Sequence, residues 1–136
     1  MIDGIAALIG TVAGLVYSDG AEANVFVDYM PASPDRAVAV YTQLGPEADS
    51  RLPYDPVEFQ VIVRSEQDGA WAREMSAAVY SFLHGKRNLT LPDGTYAVFI
   101  LATNASPFPL GADESGRQRL TTDYRSEVLN YTSERS

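Results

Sequence analysis

The chain has no cysteine, one histidine and one tryptophan in 136 residues. Without cysteine neither a disulfide framework nor a thiolate metal site can be built, and a chain without such staples is expected to fold inside a cell. A lone histidine, His84, leaves little from which to assemble a zinc site or a Ser-His-Asp arrangement. No glycine-rich phosphate loop follows a strand. Basic residues are also scarce: ten Lys and Arg against eighteen Asp and Glu, a net charge of −8. The shortage is uneven, with nine acids and two arginines in residues 1–60 and nine acids against eight bases in residues 61–136. A nucleic-acid grip needs a clustered basic face that releases counterions, and the first half cannot supply one. The stretch Ile5 to Tyr17 has no charged residue, but it is shorter than the ~20 apolar residues of a membrane span and contains Gly10 and Gly14. The opening Met1-Ile2-Asp3 lacks the basic start of a signal peptide. A soluble protein without a membrane role is the expectation.

What is present is a globular balance, with 46% apolar and 21% charged residues, and a length suited to one domain over 1–136. Asp3 is placed as the N-cap of a first helix, with Ile5, Leu8, Ile9, Val12 and Val16 at helical spacing and Ser18-Asp19-Gly20 as its stop. Gly10 to Gly14 has the small-xxx-small spacing of a close packing seam, against the sheet or a neighbouring subunit. Strands are expected over Asn24 to Tyr29, Arg36 to Leu44 and Val57 to Arg64; Ile62, on the polar face of the last, points to a central position. Asp68-Gly69 opens a second helix whose stripe is Trp71, Met75, Ala78, Val79 and Phe82, with Gly85 after its end. Leu89 and Leu91 form a short extended piece, and Pro92-Asp93-Gly94 a turn. Tyr96 to Thr103 and the alternating run through Leu120, Tyr124 and Val128 complete the pattern, and Thr132 to Ser136 reads as a frayed tail. The expected fold is α+β: a mixed, mostly antiparallel sheet of four to five strands flanked by two helices, in the order α-β-β-β-α-β-β.

The candidate chemistry is thin. His84 falls in the last turn of the second helix, where a cation complements the dipole. Asp113 and Glu114 are adjacent carboxylates in a solvated stretch, suited to turn formation and a charged contact surface, not to a shared acid-base site. Arg36 and Arg117 each lead into a strand, where a guanidinium fork can pair with a carboxylate across a subunit boundary or within the fold. No catalytic, cofactor-binding or metal-binding residue emerges, and no cofactor is expected.

The run Pro34 to Tyr41, the strand Val57-Glu58-Phe59-Gln60-Val61-Ile62-Val63-Arg64-Ser65, the second helix, and the stretch Ser106-Pro107-Phe108-Pro109-Leu110-Gly111 with Asp113-Glu114-Ser115-Gly116-Arg117 occur in an order that resembles the tail terminators of long-tailed phages. The resemblance spans about residues 23–130 and rests on pattern and order, not on invariant residues. It implies a structural virion protein at the tail/neck junction, assembled in the host cytoplasm, that forms a homohexameric ring on the tail tube protein, stops tail polymerisation and meets a head-tail connector protein. DNA passes through such a ring without specific binding. Closed rings bury complementary patches on opposite sides of each subunit, and long connections are where contacts concentrate. The stretches Pro46 to Pro56 and Ser106 to Arg117, with Arg36 at its strand entrance, therefore supply the expected subunit or tube contacts: Arg36, Arg51, Phe108, Asp113, Glu114 and Arg117. Asp28, Asp35, Glu47, Asp49 and Asp55 are the expected lumen-facing acids, whose charge would repel DNA phosphate. The alternatives are a neck connector on the portal side and a non-viral ligand-binding α+β module; an enzyme is the reading the residues support least.

Overall fold

The computed structural model describes residues 2–43, 54–104 and 107–129. The expected contacts at Glu47, Asp49, Arg51 and Ser106, and the tail from Thr132, lie outside the described residues. The element order is α1 (Ile2–Ile9), β1 (Val25–Val27), β2 (Ala37–Gln43), β3 (Tyr54–Ser65), α2 (Ala70–Leu83), β4 (Lys86–Thr90), β5 (Tyr96–Ala102), β6 (Phe108–Ala112) and β7 (Gln118–Leu129). The sheet follows the path β1-β2-β3-β7-β5-β4, with β6 also paired to β7. Only β1 and β2 run parallel; the other pairs are antiparallel.

This corrects the expectation of four to five strands in the order α-β-β-β-α-β-β: the sheet has seven. The two strands missed are edge segments that carry little strand signal of their own. β4 reads Lys-Arg-Asn-Leu-Thr, with no fully buried residue, and β6 reads Phe-Pro-Leu-Gly-Ala, exposed throughout. Proline and glycine argue against a strand from sequence. β6 forms because the twelve-residue β7 is longer than its partner β5: β5 covers Tyr124 to Leu129, leaving Gln118 to Thr121 to be paired by β6.

One face of the sheet carries the core. Val38 and Val40 of β2 lie opposite Val63 and Val61 of β3, and Phe59 lies opposite Tyr124 of β7, with the two rings stacked 5.2 Å apart. These residues join Ile5 and Ile9 of α1 with Met75, Val79 and Leu83 of α2 in a single buried cluster. Both helices therefore pack on the same face, α1 over β1 and β2, α2 over β3, β7 and β5. The helices do not flank the sheet; among the described residues the other face, with Tyr41, Gln60, Ile62, Asp123 and Arg125, has no helix over it. Strict alternation is what a sheet covered on one side requires.

The helices also differ from expectation in extent. α1 stops at Ile9 instead of running through Val16, and Asp3 lies in its first turn instead of capping it. Beyond it Thr11, Val12 and Leu15 donate to carbonyls three residues back, in successive turns. A Cβ on Gly10 would sit 2.8 Å from the Tyr17 Cβ, and Gly14, at φ 89°, is 3.3 Å from the Met75 methyl by the same construction. The glycine spacing marks a packing seam within the chain. On α2 the buried stripe is Ala72, Met75, Ser76, Val79 and Leu83, with Trp71 and Phe82 at its margin and Ala78 exposed. Gly85 follows that helix at φ 86° and donates its N–H to Ile100 O, so helix and β5 are tied at this end.

Candidate interaction surfaces

Arg64 is a cation in an otherwise alternating strand, on the bare face and only 2% exposed. A buried guanidinium needs acceptors. Its Nε donates to Asp35 O at 3.1 Å, one terminal nitrogen to Pro31 O at 2.7 Å, and the other to Pro34 O. Burial, and next the neighbouring Arg117 cation, hold its pKa below the usual arginine value. Arg117 grips the same segment: a terminal nitrogen donates to Ala32 O and lies 3.5 Å from the Asp35 carboxylate. The two arginines thus pin residues 31–35 over one end of the bare face. Sequence reasoning singled out Arg117 but missed Arg64, which shares its face with Ile62 and pairs across the sheet with Ala37 and Arg119.

Arg117 also closes the β6–β7 hairpin. Its Nε donates to Asp113 Oδ2 at 2.8 Å, while Asp113 Oδ1 accepts the N–H groups of Ser115 and Arg117, each at 2.9 Å. Burial alone raises the Asp113 carboxyl, but those N–H groups and the guanidinium outweigh it and hold the pKa below the usual carboxylate value. Glu114 stands exposed at the tip of this turn. Arg36 pairs with Glu66 at 2.6 Å with both side chains about half exposed, and its guanidinium lies 5.9 Å from the Trp71 ring centre.

The other residues singled out from the sequence separate in space. His84 does not act as a cation on the helix carbonyls: its Nδ1 accepts the Ala102 N–H at 2.9 Å, a role for the neutral ring, and it stacks on Tyr80. Asp28 follows β1 at φ 62° and accepts the Thr42 N–H. Asp35 sits in the pinned segment, and Asp55 lies near the start of β3 opposite Val128. These three acids do not form one patch. Among the described residues no cluster of three His, Asp or Glu could hold a metal, and no helix is long and apolar enough to cross a membrane.

The exposed large apolar side chains fall into two groups. Phe108 is 63% exposed and Leu110 39%, both on β6. Tyr29 is 56% exposed and Tyr17 37%, both lining a groove of about 400 Å³ along β1, and Val16, also 37% exposed, precedes Tyr17 in the chain. Of these five only Phe108 was picked out from sequence. Val16 and Tyr17 were hidden by the helical periodicity around them.

A chain of a structure described as the virion of a native gene transfer agent (GTA) particle has a similar fold, with a TM-score of 0.61 at 19% identity, over 93% of this chain and 84% of that one. No curated protein sequence matches the chain. The family of the bacteriophage tail terminator protein matches residues 7–130, which takes in the whole sheet, α2 and the end of α1. With that span of the 136 residues accounted for, the chain belongs to the bacteriophage tail terminator family, a family of structural phage proteins and not of enzymes.

Proposed function

We propose that six copies of this chain close into a ring that caps the phage tail tube, ends its polymerisation, and offers a surface to the connector beneath the capsid. The observation that carries the reading is the family match across residues 7–130. The exposed apolar side chains support it, because a structural protein that works in an assembly must keep some apolar surface for its neighbours. In this reading Phe108, Glu114 and the outer face of the Asp113–Arg117 turn meet a neighbouring subunit or the tube. Arg36 can exchange Glu66 for a partner's carboxylate at little cost, since an exposed ion pair is worth about 1 kcal/mol or less. Asp28, Asp35 and Asp55 contribute to a net charge of −8, which keeps a channel wall from holding DNA as it passes.

The test is the mass in solution, by light scattering, of the protein alone and after mixing with assembled tail tubes. A species of six times the 14.8 kDa chain, or capture at tube ends, is the expected result. A chain that stays single and ignores tube ends would sink the reading.

A further inference from the structure

We infer that the joint between neighbouring copies in the ring is made by β6 of one chain entering the groove beside β1 of the next; this deepens the ring reading above and rests on it. The sheet register puts the two surfaces at opposite ends of one row. Phe26 of β1 lies opposite Ala39, Ala39 opposite Ile62, Ile62 opposite Thr121, and Thr121 opposite Phe108 of β6. Four strand spacings separate the ends, roughly 19 Å. A head-to-tail ring needs two different patches on opposite sides of the subunit, whereas a two-fold dimer needs one self-complementary patch. All five exposed large apolar side chains among the described residues obey the first pattern: Val16, Tyr17 and Tyr29 at the β1 end, Phe108 and Leu110 at the β6 end.

Shape and charge match as well. The β1 groove is a concave site lined by Tyr17, Val25, Phe26, Val27 and Tyr29, with Tyr29 edge-on to Phe26 at 5.5 Å. β6 is an available partner for it, exposed along its whole length. Pro109 and the bulge before Gly111 blunt β6 as a hydrogen-bonding edge, so contact is made through side chains. The β1 end is acidic: residues 2–30 hold Asp3, Asp19, Glu22 and Asp28 and no base, and Asp19 lines the groove. Beside β6, Arg73 and Arg119 line the depression next to Pro109 and pair with no carboxylate among the described residues. The Arg119 Nε is buried without a hydrogen-bond partner. Asp68, in the same depression, accepts the Ala70 N–H, and Glu114 stands at the hairpin tip, beyond the paired strand. Seating β6 in the acidic groove covers both apolar patches and brings the two arginines toward Asp19 and Glu22.

Phe108→Asp and Tyr29→Asp each remove one half of this joint and leave the other intact. Light scattering of each pure variant should give the single-chain mass, with the cooperative melt of the wild type retained. An equimolar mixture of the two should give a species of two chains and nothing larger, because one good half survives on each. Neither a two-fold joint nor a misfolded variant can produce that result. If Phe108→Asp fails to melt cooperatively, Leu110→Asp takes its place. Arg119→Glu should weaken association at least tenfold, and Asp19→Arg on the adjoining copy should restore it. Variants that form the wild-type ring, or a mixture that stays single, overturn the joint and leave the ring reading standing. A wild type that stays single at every concentration and at tube ends overturns both.

Discussion

At the scale of single residues Arg64 is a buried cation that, among the described residues, has no direct carboxylate partner. Its charge is spread over three carbonyls of residues 31–35. Arg64→Met should cost about 2–4 kcal/mol in denaturant unfolding, because carbonyls are left facing an apolar group. Arg64→Lys should recover only part, since an ammonium cannot reproduce the planar fork. Tyr124 gives a second prediction. Burial, and then the neighbouring Tyr80, push its pKa above the ordinary tyrosine value, and among the described residues its hydroxyl makes no hydrogen bond of ordinary geometry. The folded value lies above the unfolded one, so the stabilisation is fully present below about pH 10 and is lost as pH rises toward the folded value. Tyr124→Phe keeps the stack on Phe59 and should change stability at neutral pH by less than about 1 kcal/mol. It should also flatten the alkaline limb of a stability-against-pH curve.

At the scale of elements the β6–β7 hairpin and α1 are the informative pieces. The hairpin turn is closed by Asp113 and Arg117 together, so Asp113→Ala should speed amide exchange in β6 severalfold while the exchange of β3 is unchanged. Because the Asp113 pKa is lowered on folding, its contribution is present above the unfolded value and is lost as pH falls through the folded one. Hairpin protection should therefore fall on acidification below about pH 4. For α1, Gly10→Ala should destabilise by about 1–3 kcal/mol, read as a lower melting temperature. The added methyl would meet the Tyr17 Cβ at 2.8 Å and the Tyr17 amide at 3.0 Å, neither of which can swing away. Helical propensity alone predicts the opposite sign, since alanine is favoured over glycine in a helix.

At the scale of the whole molecule both helices lie on one face of the sheet, and among the described residues no helix covers the other, over one end of which residues 31–35 are pinned. That leaves two kinds of free boundary: the bare face and the sheet ends. The bare face is polar, with Gln43, Glu58, Thr103 and Asp123 lining a shallow depression. Among the described residues the exposed large apolar side chains lie at the ends. Edges that end in apolar side chains invite association unless blunted or covered. β4 is blunted by Lys86 and Arg87, but the β1 end and β6 keep their apolar groups. A whole-molecule prediction follows from this difference: charge reversal of Lys86 and Arg87 should leave the assembled mass unchanged, whereas Phe108→Asp should reduce it to that of the single chain.

Alternation in Val38/Val40, Phe59/Val61/Val63 and Tyr124/Val128 determined which side of each long strand is buried, because every second side chain must share an environment. The stretch from Asp68 to Gly85 likewise determined the second helix, although Leu83 and Ser76 are buried where Ala78 was expected, an offset of about one residue around the helix. Local sequence also carried the resemblance that marks the family, through the segments Pro34 to Tyr41, Val57 to Ser65 and Ser106 to Arg117. It could not show that α1 ends at Ile9 and that the chain returns to place Tyr17 against Gly10, a contact between residues seven apart. Nor could it show β6, whose proline and glycine give no strand signal and which exists because β7 outruns β5. The role of Arg64 and the pairing of two apolar ends across four strand spacings are equally tertiary. Both join residues far apart in the chain, and register, not composition, brings them into one row.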